Sequence, residues 1–146
     1  YQFSYSAEGY LTEIVENIDN TEYSSTSLTY ENGDITSISS KMNGLENKFI
    51  YEPGEESSTY HLPCLGLLEI HPLTFHIEAL YAGLLGKDPR HFTIRSCPAG
   101  SNDEKTIYSY EFDKKGNPSR MICQTTYAGG QASYYPYTRN ISFSFE

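Results

Sequence analysis

The sequence predicts a mainly β protein: a curved antiparallel meander, half-open or barrel-like, with one short helix packed on the sheet. Three observations predict it. Turn signals recur about every ten residues without βαβ alternation. Three segments share one hairpin pattern. Only one stretch, Pro72 to Gly86, carries a convincing helical stripe.

The first hairpin is read from Phe3 and Tyr5 alternating with Ser4 and Ser6, a turn at Ala7-Glu8-Gly9, and a return over Leu11 to Val15. In the second, Leu28 and Tyr30 alternate, Asn32-Gly33 turns, and Ile35 to Ser40 returns. Asn-Gly between such runs is a strong hairpin signal, because both residues tolerate the positive φ of a type I′ turn. In the third, Tyr108, Tyr110 and Phe112 alternate, Lys115-Gly116-Asn117 turns, and Arg120 to Thr126 returns.

Aligned on Gly9, Gly33 and Gly116, the three segments place Leu11, Ile35 or Pro118 two residues on, and Ile14, Ile38 or Met121 five residues on. Those two positions have opposite parity in a flat strand. Either a bulge shifts the return strand, or both of its faces are partly buried. Between the second and third repeats, Lys48 to Glu52 predicts a strand ended by Pro53-Gly54, then a polar loop over Glu55 to Thr59. After the helix come a loop at Lys87 to Arg90, a short strand at His91 to Arg95, and a second loop at Cys97 to Lys105. Tyr137 to Glu146 reads as a closing strand.

Within Pro72 to Gly86, Ile77, Leu80, Tyr81, Leu84 and Leu85 fall on one helical face. They are expected to cover the sheet and touch Tyr5, Tyr30 and Phe112. Pro72 suits a first helical position, and Gly83 and Gly86 supply stops of positive φ.

A chain of 146 residues suits a single domain, 1–146. Ten basic against 19 acidic residues leave a net charge of −9, which opposes nucleic acid and anionic membrane surfaces. The chain has 14 Tyr and no Trp, so tyrosine carries much of the burial. The three cysteines, Cys64, Cys97 and Cys123, allow at most one internal bridge; buried free thiols or a Cys64–Cys97 bridge both satisfy the spacing. No stretch is long and apolar enough to span a bilayer. The chain begins at Tyr1, so a processed product or excised domain is expected.

No GxSxG, CxxC or HExxH is present, and Gly83-Leu84-Leu85-Gly86-Lys87 is too short between its glycines for a phosphate loop. The four histidines offer no i, i+4 metal clamp, and the acidic run Glu52, Glu55, Glu56 lacks a calcium-loop pattern. The expectation is no catalytic residue, no metal and no cofactor. The remaining signal is Tyr134, Tyr135 and Tyr137 after Gly129-Gly130, candidate ligand-binding side chains on a loop.

Glu111-Phe112-Asp113-Lys114-Lys115-Gly116 resembles the YD-type hairpin grammar. Together with YSAEGYLTEI, YENGDITSI and YAGLLGKDPRHFTI, it is similar to the uncharacterised secreted lipoprotein domains of Bacteroides-type bacteria. The resemblance implies an antiparallel meander, export to the periplasm or cell surface with an upstream lipid anchor, and no catalytic residues. The function expected is a non-catalytic cell-envelope domain that binds a glycan, lipid or envelope protein. The alternative is a structural or interaction module of an envelope complex.

Overall fold

The computed structural model describes residues 1–57, 79, 82–101, 103–127 and 137–142, without the side chains of Tyr127, Tyr137 and Arg139. The strands are β1 (Gln2–Tyr5), β2 (Leu11–Ile18), β3 (Thr21–Glu31), β4 (Asp34–Met42), β5 (Leu45–Ser57), β6 (His91–Pro98), β7 (Glu104–Phe112), β8 (Pro118–Tyr127) and β9 (Tyr137–Ser142). They form one antiparallel sheet in the order β1 to β9, each strand beside its sequence neighbour. Among the described residues the sheet is a meander in which β1 and β9 do not pair, so it is not closed into a barrel.

The parity conflict is resolved by one bulge, repeated three times. In hairpin 1 (β1–β2), Tyr5 faces Leu11 while Ser4 faces Glu13, so Thr12 is the extra residue. In hairpin 2 (β3–β4), Tyr30 faces Ile35 while Thr29 faces Ser37, leaving Thr36. In hairpin 3 (β7–β8), Phe112 faces Pro118 while Glu111 faces Arg120, leaving Ser119. Each extra residue is a hydroxyl amino acid, and each hydroxyl donates to the carbonyl across from it. Thr12 reaches Ser4 O at 3.1 Å, Thr36 reaches Thr29 O at 3.2 Å, and Ser119 reaches Glu111 O at 3.1 Å. The bulge turns both apolar positions inward. Leu11, Ile14, Ile35, Ile38, Pro118 and Met121 are all buried.

The turns match their residues. Asn32 and Gly33 both take positive φ, as a type I′ turn requires. Hairpins 1 and 3 share a longer loop. Ser6 Oγ accepts the N–H groups of Glu8 and Tyr10, and Asp113 Oδ1 accepts those of Lys115 and Asn117. Such side-chain acceptors satisfy turn donors that the ladder cannot.

One core cluster lies under β2–β5 and gathers Leu11, Ile14, Leu28, Ile35, Ile38 and Tyr51 with Ala79 and Leu85. A second gathers Tyr108, Met121 and Cys123. The opposite sheet face is mixed: the exposed Ile50, between Ser37 and Cys97, and Ile107, opposite Arg95, stand on it among polar residues. Paired rows there read Glu13–Ser27–Ser39–Lys48 and Glu111–Arg120–Ser142.

Several expectations are corrected. β5 does not end at Pro53-Gly54 but runs on to Ser57. The register shifts at Pro53, and at a bulge a missing N–H costs no ladder bond. Glu55, Glu56 and Ser57 are therefore strand, not loop. Cys97 and Pro98 close β6, and Glu104 and Lys105 open β7, which shortens the loop expected there. The helix falls largely on 72–78, 80 and 81, outside the described residues. Of its remainder, Ala79 has helical backbone and residues 82–85 form turns. Leu84 is exposed rather than part of the covering stripe, while Leu85 is buried in the core. Gly83 and Gly86 do take positive φ, which breaks the helical period around Leu84. Phe112 packs on Phe92, with ring centres 5.9 Å apart. Cys97 is a free thiol, so the Cys64–Cys97 bridge does not form; Cys64 lies outside the described residues.

Candidate functional site: the gap between two hairpin tips

The β2–β3 ladder stops at Glu13↔Ser27. Beyond that pair the two strands part, each staying with its own hairpin partner. Tyr10 fills the base of the gap. Its ring is buried, and it lies 4.9 Å from the Tyr30 ring at an interplanar angle of 31°. A carbon added at Gly33 would meet the Tyr10 hydroxyl at 2.7 Å, so Tyr10 reaches from one hairpin tip to the other. Gly33 is the residue that leaves room for it.

A strap, residues 86–91, runs across both tips. Gly86 forms an antiparallel bridge with Tyr10, and Lys87 N donates to Gly9 O at 2.8 Å. Arg90 N then donates to Gly33 O at 3.0 Å. These two bonds tie the strap to hairpin 1 at one end and to hairpin 2 at the other. His91 is fixed next. Asp34, nearly buried, accepts His91 N–H at 2.8 Å on Oδ1 and faces His91 Nδ1 at 2.9 Å with Oδ2. A carboxylate opposite Nδ1 favours the Nδ1–H tautomer and leaves Nε2 outward.

Above this floor lies an open groove of about 600 Å³, within the size range of small-molecule sites. Its lining mixes the hydroxyls of Ser6, Thr12 and Thr29 with Asn32, Glu8 and the Tyr30 ring. The Lys87 ammonium borders it, 4.8 Å from the centre of the Tyr10 ring. Such a cation–π contact contributes about 0.5–2 kcal/mol, depending on desolvation. A smaller groove of about 380 Å³ lies at the opposite strand ends, beside Tyr23 and Met42.

Tyr134 and Tyr135 lie outside the described residues, and Tyr137 is known only by its backbone, which pairs with Thr125 in the β8–β9 ladder. Glu52 of the acidic run binds Arg95 Nη1 at 2.8 Å. Among the described residues no group of three or more His, Cys, Asp or Glu side chains could hold a metal. Sequence reasoning missed Tyr10, Lys87 and the Asp34–His91 pair. The available signal was the doubled use of Gly: Gly33 and Gly86 each sit where a neighbour's atoms leave no room for a side chain.

An antiparallel meander of nine strands in sequence order, with its core on one face, is the class this fold defines. Residues 1–120 match the family model described as a domain of unknown function with porin-like fold, and the chain belongs to that family (DUF4595). It is also similar to the crystal structure of a porin-like protein from Bacteroides uniformis ATCC 8492, at 26% identity and a TM-score of 0.81. The alignment covers 100% of this chain and 59% of that one, so the chain spans less than two thirds of its relative's length. No curated protein matches it. No helix among the described residues is long and apolar enough to cross a membrane.

Proposed function

We propose that the chain is a non-catalytic, exported cell-envelope domain that binds a ligand at the gap between hairpins 1 and 2. The observation that carries this reading is the parting of β2 from β3 at Glu13↔Ser27, held open by Tyr10 and bordered by the strap. Two adjacent strands that could pair at low cost are instead kept apart, and core-quality packing is spent on doing so. Mixed hydroxyl, amide and aromatic lining is the composition that orients small ligands. Export to the periplasm or cell surface, with a lipid anchor, rests on the resemblance described above and on the porin-like relative from Bacteroides.

The test is a thermal-shift screen across saccharides, lipids and peptides, repeated on Asn32→Gly. Asn32 has positive φ, so glycine keeps the turn and removes only the side chain. A ligand that raises the melting temperature of the parent and less so that of the variant supports the reading. Stabilising ligands indifferent to Asn32→Gly oppose it.

A second reading, an interaction module of an envelope complex, has its own observation. Ile18, Tyr23, Met42 and Leu45 are all exposed where β2–β3 and β4–β5 turn. Clustered exposed apolar groups mark contact surfaces. Under this reading Leu45→Ser would weaken assembly with the partner and leave ligand stabilisation intact.

A further inference from the structure

Resting on the reading of this gap as a binding groove, we propose that it takes a neutral polyhydroxylated ligand: a short stretch of uncharged oligosaccharide. The first argument is charge. The groove offers one carboxylate, Glu8, and one ammonium, Lys87. These balance, and the Lys87 ammonium is already directed at the Tyr10 ring. An anion would meet one committed cation in a chain of net charge −9, and a cation would meet a single carboxylate.

The second argument is the form of the polar groups. Ser6 Oγ accepts two backbone N–H groups, from Glu8 and Tyr10, so its own hydrogen remains to donate. Thr12 spends its hydrogen on Ser4 O, so its oxygen remains to accept. The Asn32 amide supplies both a donor and an acceptor. Short, fixed groups that alternate donor and acceptor suit sugar hydroxyls, each of which does both. The lining also has an apolar part. Leu28 and Tyr30 both border the groove; the Tyr30 ring packs on Tyr10 and on the core cluster and is half-buried, so the polar groups stand beside carbon rather than water alone, as the C–H groups of a sugar require. A ligand with hydroxyls at its edge and C–H groups on its faces satisfies all three.

The experiment is isothermal titration of the protein with cellohexaose, xylohexaose, maltohexaose and mannohexaose, with trigalacturonate as the anionic arm and an extended Gly-Ser peptide as the third. At least one neutral hexasaccharide should bind, with an affinity little changed between about 0.05 and about 0.5 M salt. Asn32→Gly should weaken it about five- to tenfold, the effect of one lost hydrogen bond, with the melting temperature retained. Tyr23→Ser, at the far strand ends, should leave it unchanged. Binding of trigalacturonate or the peptide alone, weakened by Asn32→Gly, would overturn the saccharide assignment and leave the groove as a site. Failure of every probe to bind in a manner sensitive to Asn32→Gly would overturn both.

Discussion

Gly86 lies directly against Gly9: a side-chain carbon on Gly86 would sit 2.8 Å from the Gly9 carbonyl oxygen and 2.8 Å from Leu11 N. That contact lets the strap bridge Tyr10 and carry Leu85 into the core. Gly86→Ala should destabilise the fold by more than the roughly 1–2 kcal/mol that left-handed backbone alone costs an L residue. Gly83 is the internal control. It has similar φ, +69 against +71, but open space where its side chain would go. Urea denaturation of the two variants should rank Gly86→Ala clearly below Gly83→Ala; equal losses would mean the strap is not closely docked.

Asp34 holds the far end of the strap through both carboxylate oxygens, 57 residues from His91 in sequence. Asp34→Ala should cost about 1–3 kcal/mol, because it leaves the His91 N–H without its acceptor in a half-buried position. Asp34→Asn keeps one acceptor oxygen and should cost less. Nitrogen shifts of His91 should report the Nδ1–H tautomer in the parent and lose that preference in Asp34→Ala. An unchanged tautomer would refute the pairing.

The three bulge hydroxyls can be tested one by one. Thr12→Val, Thr36→Val and Ser119→Ala each remove a hydroxyl–carbonyl bond, worth about 0.5–1.5 kcal/mol; Thr36→Val also removes the 3.1 Å contact with the Thr29 hydroxyl and should cost the most. Thr12 and Ser119 belong to separate hairpins, so their losses should add in a double variant measured by chemical denaturation. A neutral effect at all three positions would show that the bulge is set by the apolar pattern alone.

Much of this fold was legible because its hairpins are local. Gly9, Asn32-Gly33 and Lys115-Gly116 mark their turns by residue type, and the misplaced parity of Leu11 and Ile14 pointed to the bulge. Asn43-Gly44 carries the same turn chemistry, with both residues at positive φ, and equally marks the β4–β5 turn. Asp19-Asn20 is harder to read, since neither residue is Gly although both take positive φ. The path of β5 through Pro53 was not legible, because a bulge removes the penalty that makes proline a strand breaker. The site was the least legible part. It depends on Tyr10 reaching Gly33 and on Lys87 meeting Gly9, contacts set by how hairpin tips splay, and no spacing along the chain records that splay.

Hairpin 3 gives a pH prediction. Hydrogen bonds from the Asn117 backbone and side chain, then the Lys115 N–H and charge, hold the Asp113 carboxyl below its ordinary range. A depressed folded pKa stabilises the folded hairpin fully above the ordinary aspartate pKa of about 3.9. That contribution is lost as pH falls through the lowered value. Protection factors of the Lys115 and Asn117 amides, corrected for the intrinsic pH dependence of exchange, should fall in that window on acidification and show no such step in Asp113→Ala. The Ser6 turn of hairpin 1, which lacks a titrating acceptor, should show no such step. A step shared by both turns would assign the acid sensitivity to some other group.

The proposed function puts the ligand in the gap between hairpins 1 and 2. Amide chemical-shift mapping tests it most directly, with the saccharide, trigalacturonate and peptide probes titrated into labelled protein. Shifts should concentrate at Ser6 to Thr12, Leu28 to Gly33 and Lys87, with the β8–β9 ladder silent. Shifts centred on Tyr137 and its strand, or on the Ile18 and Met42 turns, or the absence of any shift around Tyr10 and Asn32, would contradict it.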